Sequence, residues 1–374
     1  MNSIEVDIRT RILDPGHKVY IVRPGAGYRL YADVERLEAI LFDLPGLELQ
    51  QGVSFSDTPD LVPKLLRAQE IRQWHKNGRA NGSPHPSTLL ADYFAAAGAA
   101  ERRSLSQFLS IGRAYFERSR VGDMVIVPPL RFGDPVLVGE ITSSEVFSAA
   151  VPEYGQEKLL GRKVRWLARI PKNEVPSRVI EISQKPNSFV LLERTSAVWF
   201  YDRAYKSYVL DQRYQAEFRI TSPNFGSTDD ARFTAFLNFV AANLARAPGA
   251  PSVSITEAVF ANLGDYEPDQ RIAINSPGEK IVHALKLTPL IFLALMAMST
   301  VATPQDILQA AQAGKIVISN SSAIAGDGCT ASVYKETVDW LLTIGAQEWL
   351  DGCAVAKQAI ESAGVETPAI AELR

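Results

Sequence analysis

Two cysteines in 374 residues exclude a disulfide framework and a thiolate zinc cluster. Cys329 and Cys353 stand 24 positions apart, and neither belongs to a CxxC or a Cys/His group. Histidine is equally sparse, with only His17, His75, His85 and His283, so no metal site and no cofactor is expected. The chain has no GxxxxGK[ST] phosphate loop, no HExxH and no GxSxG. The nearest string to a metal-dependent nuclease motif, Glu181-Ile-Ser-Gln-Lys185, has the wrong spacing. Long apolar runs are missing too. Leu290 to Met298 is the most apolar stretch, and even extended to Ala302 it falls short of the ~20 residues of a membrane span. The first residues, MNSIEVDIRTRIL, contain acidic side chains and no apolar core of a signal peptide. A cytoplasmic location is the expectation.

What is present is ordinary globular material, 46% hydrophobic and 22% charged, long enough for about two or three domains. The net charge of −3 hides an asymmetry. Residues 1–220 hold 30 Lys+Arg against 26 Asp+Glu, whereas residues 221–374 hold 9 against 16. The front is therefore the better partner for a polyanion.

One stretch organises the front. Val121 to Pro171 opens with Val121-Gly122-Asp123, a turn, and continues into the apolar run Met124 to Val127. A second turn, Arg131 to Pro135, leads into a strand at Val136 to Ile141. Lys163 to Ile170 alternates basic and apolar residues, the pattern of a strand with one wet face and one packed face. Lys163, Arg165 and Arg169 are expected on the wet face and Trp166 on the opposite one; Arg165 suits a phosphate grip, a solvated position or a pair with a carboxylate such as Glu140. Short strands joined by Gly/Asp/Pro turns point to a small antiparallel barrel or sandwich.

The strings GDMVIVPP, VLVGEIT and RKVRWLARIP, with the upstream VYIVRPGAG at 19–27, resemble the PUA/EVE-like barrel found ahead of nuclease domains in Mrr-type, modification-dependent restriction enzymes. Ile180 to Ser183 and Phe189 to Leu192 would close that barrel, with Tyr28 to Tyr31 returning as the hairpin partner of the first strand. The resemblance spans roughly residues 15–195. It implies recognition of nucleic acid, DNA before RNA, with a modified base as one form of target. The binding surface it implies is a basic rim of Arg23, Arg131, Lys163, Arg165 and Arg169 beside the aromatic Trp166.

The fold class read from these features is α+β: a barrel domain at 1–220 with a helical insert at 57–120, then a mainly helical domain at 221–374. In the insert, Pro59 and Pro63 suit a first helical turn, and Gly98 separates two helices. Val34 to Phe42 suits a helix or a strand. Asp229-Asp230 reads as a helix cap, Ser276 to Glu279 as the start of another helix, and Gly345 or Gly352 as a break between the last two. Leu290 to Ala302 reads as a buried bundle helix, with a concealed membrane-active helix as the other reading. The function that the resemblance implies is a bacterial defence-type sensor that binds nucleic acid with its front and acts through its back. The alternatives are a divergent metal-dependent nuclease and a membrane-disrupting effector. No catalytic residue is assigned, and assembly into a homo-oligomer is compatible with the helical back.

Overall fold

A computed structural model of the chain describes residues 3–49, 55, 61–79, 81–94, 102–184, 189–247, 249–273, 278–284, 286–322 and 328–374. Pro59, Gly98, Lys185 and Ser276-Pro277 lie outside the described residues. The chain is α+β with curled sheets and divides into two compact units. One is Gly16–Ala204; the other joins Met1–Pro15 to Tyr205–Arg374. The division therefore falls at 204/205 rather than at 220. Strand β1 (Ile4–Asp7) pairs with strands at 316–319 and 370–373, and β2 (Arg11–Leu13) with one at 207–210.

The 16–204 unit begins with β3 (Val19–Val22). Gly25 and Gly27, both at positive φ (73° and 68°), turn the chain into α1 (Tyr31–Arg36), and β4 (Ala39–Phe42) follows. Val34 to Phe42 is thus helix first and strand second. The hairpin expected from Tyr28 to Tyr31 does not form, because both hydrogen-bonding edges of β3 are occupied. Helices α2 (Leu61–Gln73) and α3 (Arg102–Arg113) each run into a π-helical turn and bury Leu61, Leu65, Ala68, Leu105, Ile111 and Tyr115 in the core. The strands β5 (Met124–Val127), β6 (Val136–Ile141), β7 (Phe147–Ala150) and β8 (Lys158–Ile170) come next.

Ile180 to Ser183, expected as a strand, lies in helix α4 (Ser177–Gln184). Pro176 starts it: its carbonyl accepts from the amides of Val179 and Ile180 at 2.9 and 3.2 Å, and Val179 and Ser183 are buried one turn apart. Strand β9 (Phe189–Leu191) and helix α5 (Arg194–Ala204) complete the unit. The sheet order is β4-β8-β6-β5-β3-β9, with β7 also on β8. Its strands are antiparallel except β3 with β5.

The second unit carries two sheets beside its helices. It continues with β10 (Ser207–Leu210), β11 (Arg213–Ile220), α6 (Ser227–Ala245) and α7 (Ile255–Ala258). After β12 (Asp269–Ala273), β13 (Gly278–Ala284) is a strand where a helix start was expected. Its seven residues pair with β11 on one side, and β12 pairs on the other. Then come α8 (Thr288–Val301), α9 (Pro304–Gln312), β14 (Ile316–Ser319), α10 (Gly328–Thr343), α11 (Ala346–Ala363), β15 (Val365–Glu366) and β16 (Ile370–Leu373). One sheet has the order β12-β13-β11-β10-β2 with β15 on β11, and another has the order β14-β1-β16.

Helix α8 is the centre of this unit's core. Every residue from Leu290 to Met298 is buried, against β1, β11, β13 and β16 and against α6 and α10. Each such Leu, Ile, Phe or Met contributes ~1.5–3 kcal/mol. No single helix among the described residues is long and apolar enough to cross a membrane; α8 and α9 meet that test only as a pair bent by 116°. Gly345, at φ 88°, makes the break between α10 and α11. Gly352 lies inside α11, where a Cβ would stand 2.3 Å from the Phe239 ring of α6, so its missing side chain lets the two helices close. Asp229 caps α6 through the Gly226 amide at 3.1 Å. Asp230 instead meets Lys280, whose fully buried ammonium lies 2.6 Å from its carboxylate and 2.7 Å from the Thr234 hydroxyl.

Two substitutions probe this core. Leu293→Ala should lower unfolding free energy by about 2–5 kcal/mol, read from denaturant midpoints, and Leu293→Asp should yield no folded second unit by circular dichroism. Asp230→Ala should cost about 3–5 kcal/mol by leaving the Lys280 charge buried, whereas the double variant Asp230→Leu/Lys280→Met should recover most of that loss.

Candidate functional site

The site is built on β8. Its first half is paired on both edges: Leu160 stands opposite Phe42 of β4 and Ser148 of β7, and Gly161 opposite Leu41 and Phe147. A Cβ on Gly161 would fall 2.8 Å from the Ile40 carbonyl oxygen, so only glycine allows this approach. Its second half pairs with β6, from Val164 opposite Ile141 to Ile170 opposite Val136. The pairing slips once. Gly139 faces Trp166 and Val138 faces Ala168, leaving Leu167 as the extra residue of a bulge.

The bulge rearranges the expected faces. Lys163 and Arg165 stand on alternate positions before it and share a face. Arg169, after it, stands opposite Leu137, on the side that Gly139 and Trp166 occupy. The simple alternation of basic and apolar positions is therefore broken at Leu167, and Trp166, Leu167 and Ala168 are all half-buried. Gly139 makes room for this. A side chain there would meet Val164 Cγ1 at 2.6 Å, the Arg165 carbonyl at 2.7 Å and Trp166 Cε3 at 2.7 Å.

A groove of about 790 Å³ runs along this strand, lined by Glu38, Thr142 and every residue from Lys163 to Arg169. Four of the six residues read from the sequence, Lys163, Arg165, Trp166 and Arg169, are brought together in it. Arg23 and Arg131 are not among its lining residues. The half-buried Arg23 follows β3 with its guanidinium 4.9 Å from the centre of the Tyr28 ring, and Arg131 is exposed in the loop between β5 and β6.

The cations in the groove differ in how they are held. Arg165 donates to Glu140 at 2.8 Å; the guanidinium side chain is 66% exposed and the carboxylate only 4%. Of the states open to Arg165 from the sequence, pairing with Glu140 is the one that forms. Arg169 lies 3.0 Å from Glu35 of α1. Lys163 donates to the Leu37 carbonyl at 2.9 Å and lies 4.8 Å from the centre of the Phe147 ring, so no carboxylate in these contacts neutralises it. The indole N–H of Trp166 is buried and has no acceptor among the described residues.

Sequence reasoning missed Glu35, Glu38, Thr142 and Gly139. Glu38 holds a left-handed φ of 48° while its carbonyl accepts from Val164 at 2.8 Å, an uncommon conformation for a residue with a side chain. Thr142 donates its amide to the Lys163 carbonyl at 3.0 Å. Both enter the site through long-range strand pairing, which leaves no local sequence signal; an isolated glycine in a strand pattern, as at 139, is the one available hint. Among the described residues no group of three or more His, Cys, Asp or Glu could hold a metal ion. Comparison of the chain with family models, curated proteins and solved structures found no match.

The Gly139 contact is testable. Gly139→Ala should destabilise the 16–204 unit by about 1–3 kcal/mol and shift the Trp166 fluorescence, isolated by subtracting the spectrum of Trp166→Phe. For the ion pair, Arg165→Gln should cost about 1–2 kcal/mol, and adding Glu140→Gln should return part of it in a double-mutant cycle.

Proposed function

We propose that the 16–204 unit binds nucleic acid along β8, with DNA as the first choice over RNA. The observation that supports this most is the convergence of Lys163, Arg165, Arg169 and a half-buried tryptophan on one groove. A phosphate chain needs cations at strand-like spacing, and a base needs an aromatic wall. Lys163 supplies a charge that no carboxylate offsets in its contacts. Arg165 and Arg169 present guanidinium groups already oriented by Glu140 and Glu35, a geometry suited to planar phosphate contacts.

The charge balance of the units agrees with this reading. Gly16–Ala204 holds 25 Lys+Arg against 21 Asp+Glu, and the remainder of the chain holds 14 against 21. The PUA/EVE-like resemblance of the same stretch supports a modified base as the target and a cytoplasmic defence protein as the setting. In that setting the second unit would carry the effector action, alone or as a homo-oligomer.

Gel-shift titrations of the full chain with duplex and single-stranded DNA, plain and base-modified, test the proposal at low and moderate salt. Binding should weaken as salt rises, and Lys163→Gln should reduce the slope of log affinity against log salt by about one. Trp166→Ala should cost about 1–3 kcal/mol if a base stacks there. Absence of any binding at low salt overturns the proposal.

A further inference from the structure

The loop between β5 and β6 carries an apolar tip that the core does not use. Leu130 is 63% exposed and Phe132 73%, and the exposed Arg131 lies between them. Two adjacent large apolar side chains left in water are a cost unless a partner covers them. The backbone around them is restrained rather than loose. Pro128, Pro129 and Pro135 restrict it, the Lys172 ammonium donates to the carbonyls of Pro129 and Leu130 at 3.2 Å each, and the Tyr31 hydroxyl donates to the Pro135 carbonyl.

The loop also has a defined place beside the groove. It leads into Val136, which stands opposite Ile170, and the next pair is Leu137 with Arg169. The tip therefore rises from the Arg169 end of β8. Its anchor, Lys172, lies just past that strand, and Tyr31 belongs to α1, which also supplies Glu35 to Arg169. A restrained apolar tip around a cation, at the Arg169 end of a basic groove, has the makings of a wedge entering a base stack: the cation meets phosphate and the apolar groups replace base–base contacts.

We infer that Leu130 and Phe132 insert between base steps of duplex DNA lying in the β8 groove, unstacking the duplex at that point. This rests on the nucleic-acid reading of the groove. It predicts tighter binding where unstacking is easy, as at a mismatch, than on a fully paired duplex of the same length.

The test uses the full chain and two duplexes of equal length, one fully paired and one with a central mismatch. In both, 2-aminopurine sits next to the central position as a reporter of unstacking. The wild type should prefer the mismatched duplex and raise the reporter's fluorescence on binding. Leu130→Ser/Phe132→Ser should lose the fluorescence rise and weaken binding to the mismatched duplex roughly tenfold, with its salt slope unchanged. Phe132→Trp should retain both. The altered residues are exposed, and an unchanged melting curve checks that each variant is folded. An undiminished fluorescence rise and mismatch preference in the double serine variant would overturn the wedge while leaving the groove reading intact. Failure of the wild type to bind either duplex would overturn the groove reading and the wedge with it.

Discussion

The 16–204 unit depends on how many neighbours one strand must satisfy. The thirteen residues of β8 pair with β4, β6 and β7, and for two of its positions both edges are taken. Such a strand can neither slide nor turn over, because a shift of one residue would exchange its packed and wet faces. Gly161 admits the backbone of β4, and Gly139 admits the ring of Trp166. Between these two points the strand leaves β4 and follows β6, and the bulge at Leu167 takes up the difference in path. The groove lies along this stretch, from Lys163 to Arg169.

That space is not simply positive. Glu35 and Glu140 face two of its three cations, and Glu38 lines it. The carboxylates fix guanidinium orientation at the expense of net charge, which favours placement of a ligand over long-range attraction. Glu140 is nearly buried while Arg165 is mostly in water, so the pair is anchored from the protein side and offered from the solvent side. Lys163, turned to a carbonyl and an aromatic ring, supplies the field that the others have given up.

The second unit is held by a different constraint. Helix α8 has no polar face to give to water, so strands and helices from distant parts of the chain must enclose it. Residues 1–15 take part by placing β1 between β14 and β16. The buried Lys280 sits at the edge of this apolar interior, where desolvation lowers its affinity for a proton and Asp230 opposes that loss. The desolvation of such a buried pair offsets much of its Coulomb attraction, so its presence is weak evidence of added stability.

Local chemistry is legible in the amino-acid order. The alternation at Lys163–Ile170 identifies a half-buried strand, Glu140 is a carboxylate open to Arg165 as a partner, apolar stripes mark the helical tracts of the 57–120 insert, and the composition of Leu290–Met298 demands apolar surroundings. Each of these follows from side chains within a few positions of one another, where periodicity and capping act directly. Other features are set by contacts between distant segments. The tertiary structure turned Ile180–Ser183 into a helix, made Gly278–Ala284 a strand, moved the unit boundary to 204/205 and set a bulge at Leu167 that sends Arg169 to the tryptophan side. In three of these the deciding partner is remote in sequence: β13 needs β11, the second unit needs β1 and β2, and the bulge needs Gly139 of β6. Hydrogen-bond pairing and close backbone approach across such distances leave no periodic trace in the strand that receives them, so the pattern of a single segment cannot contain them.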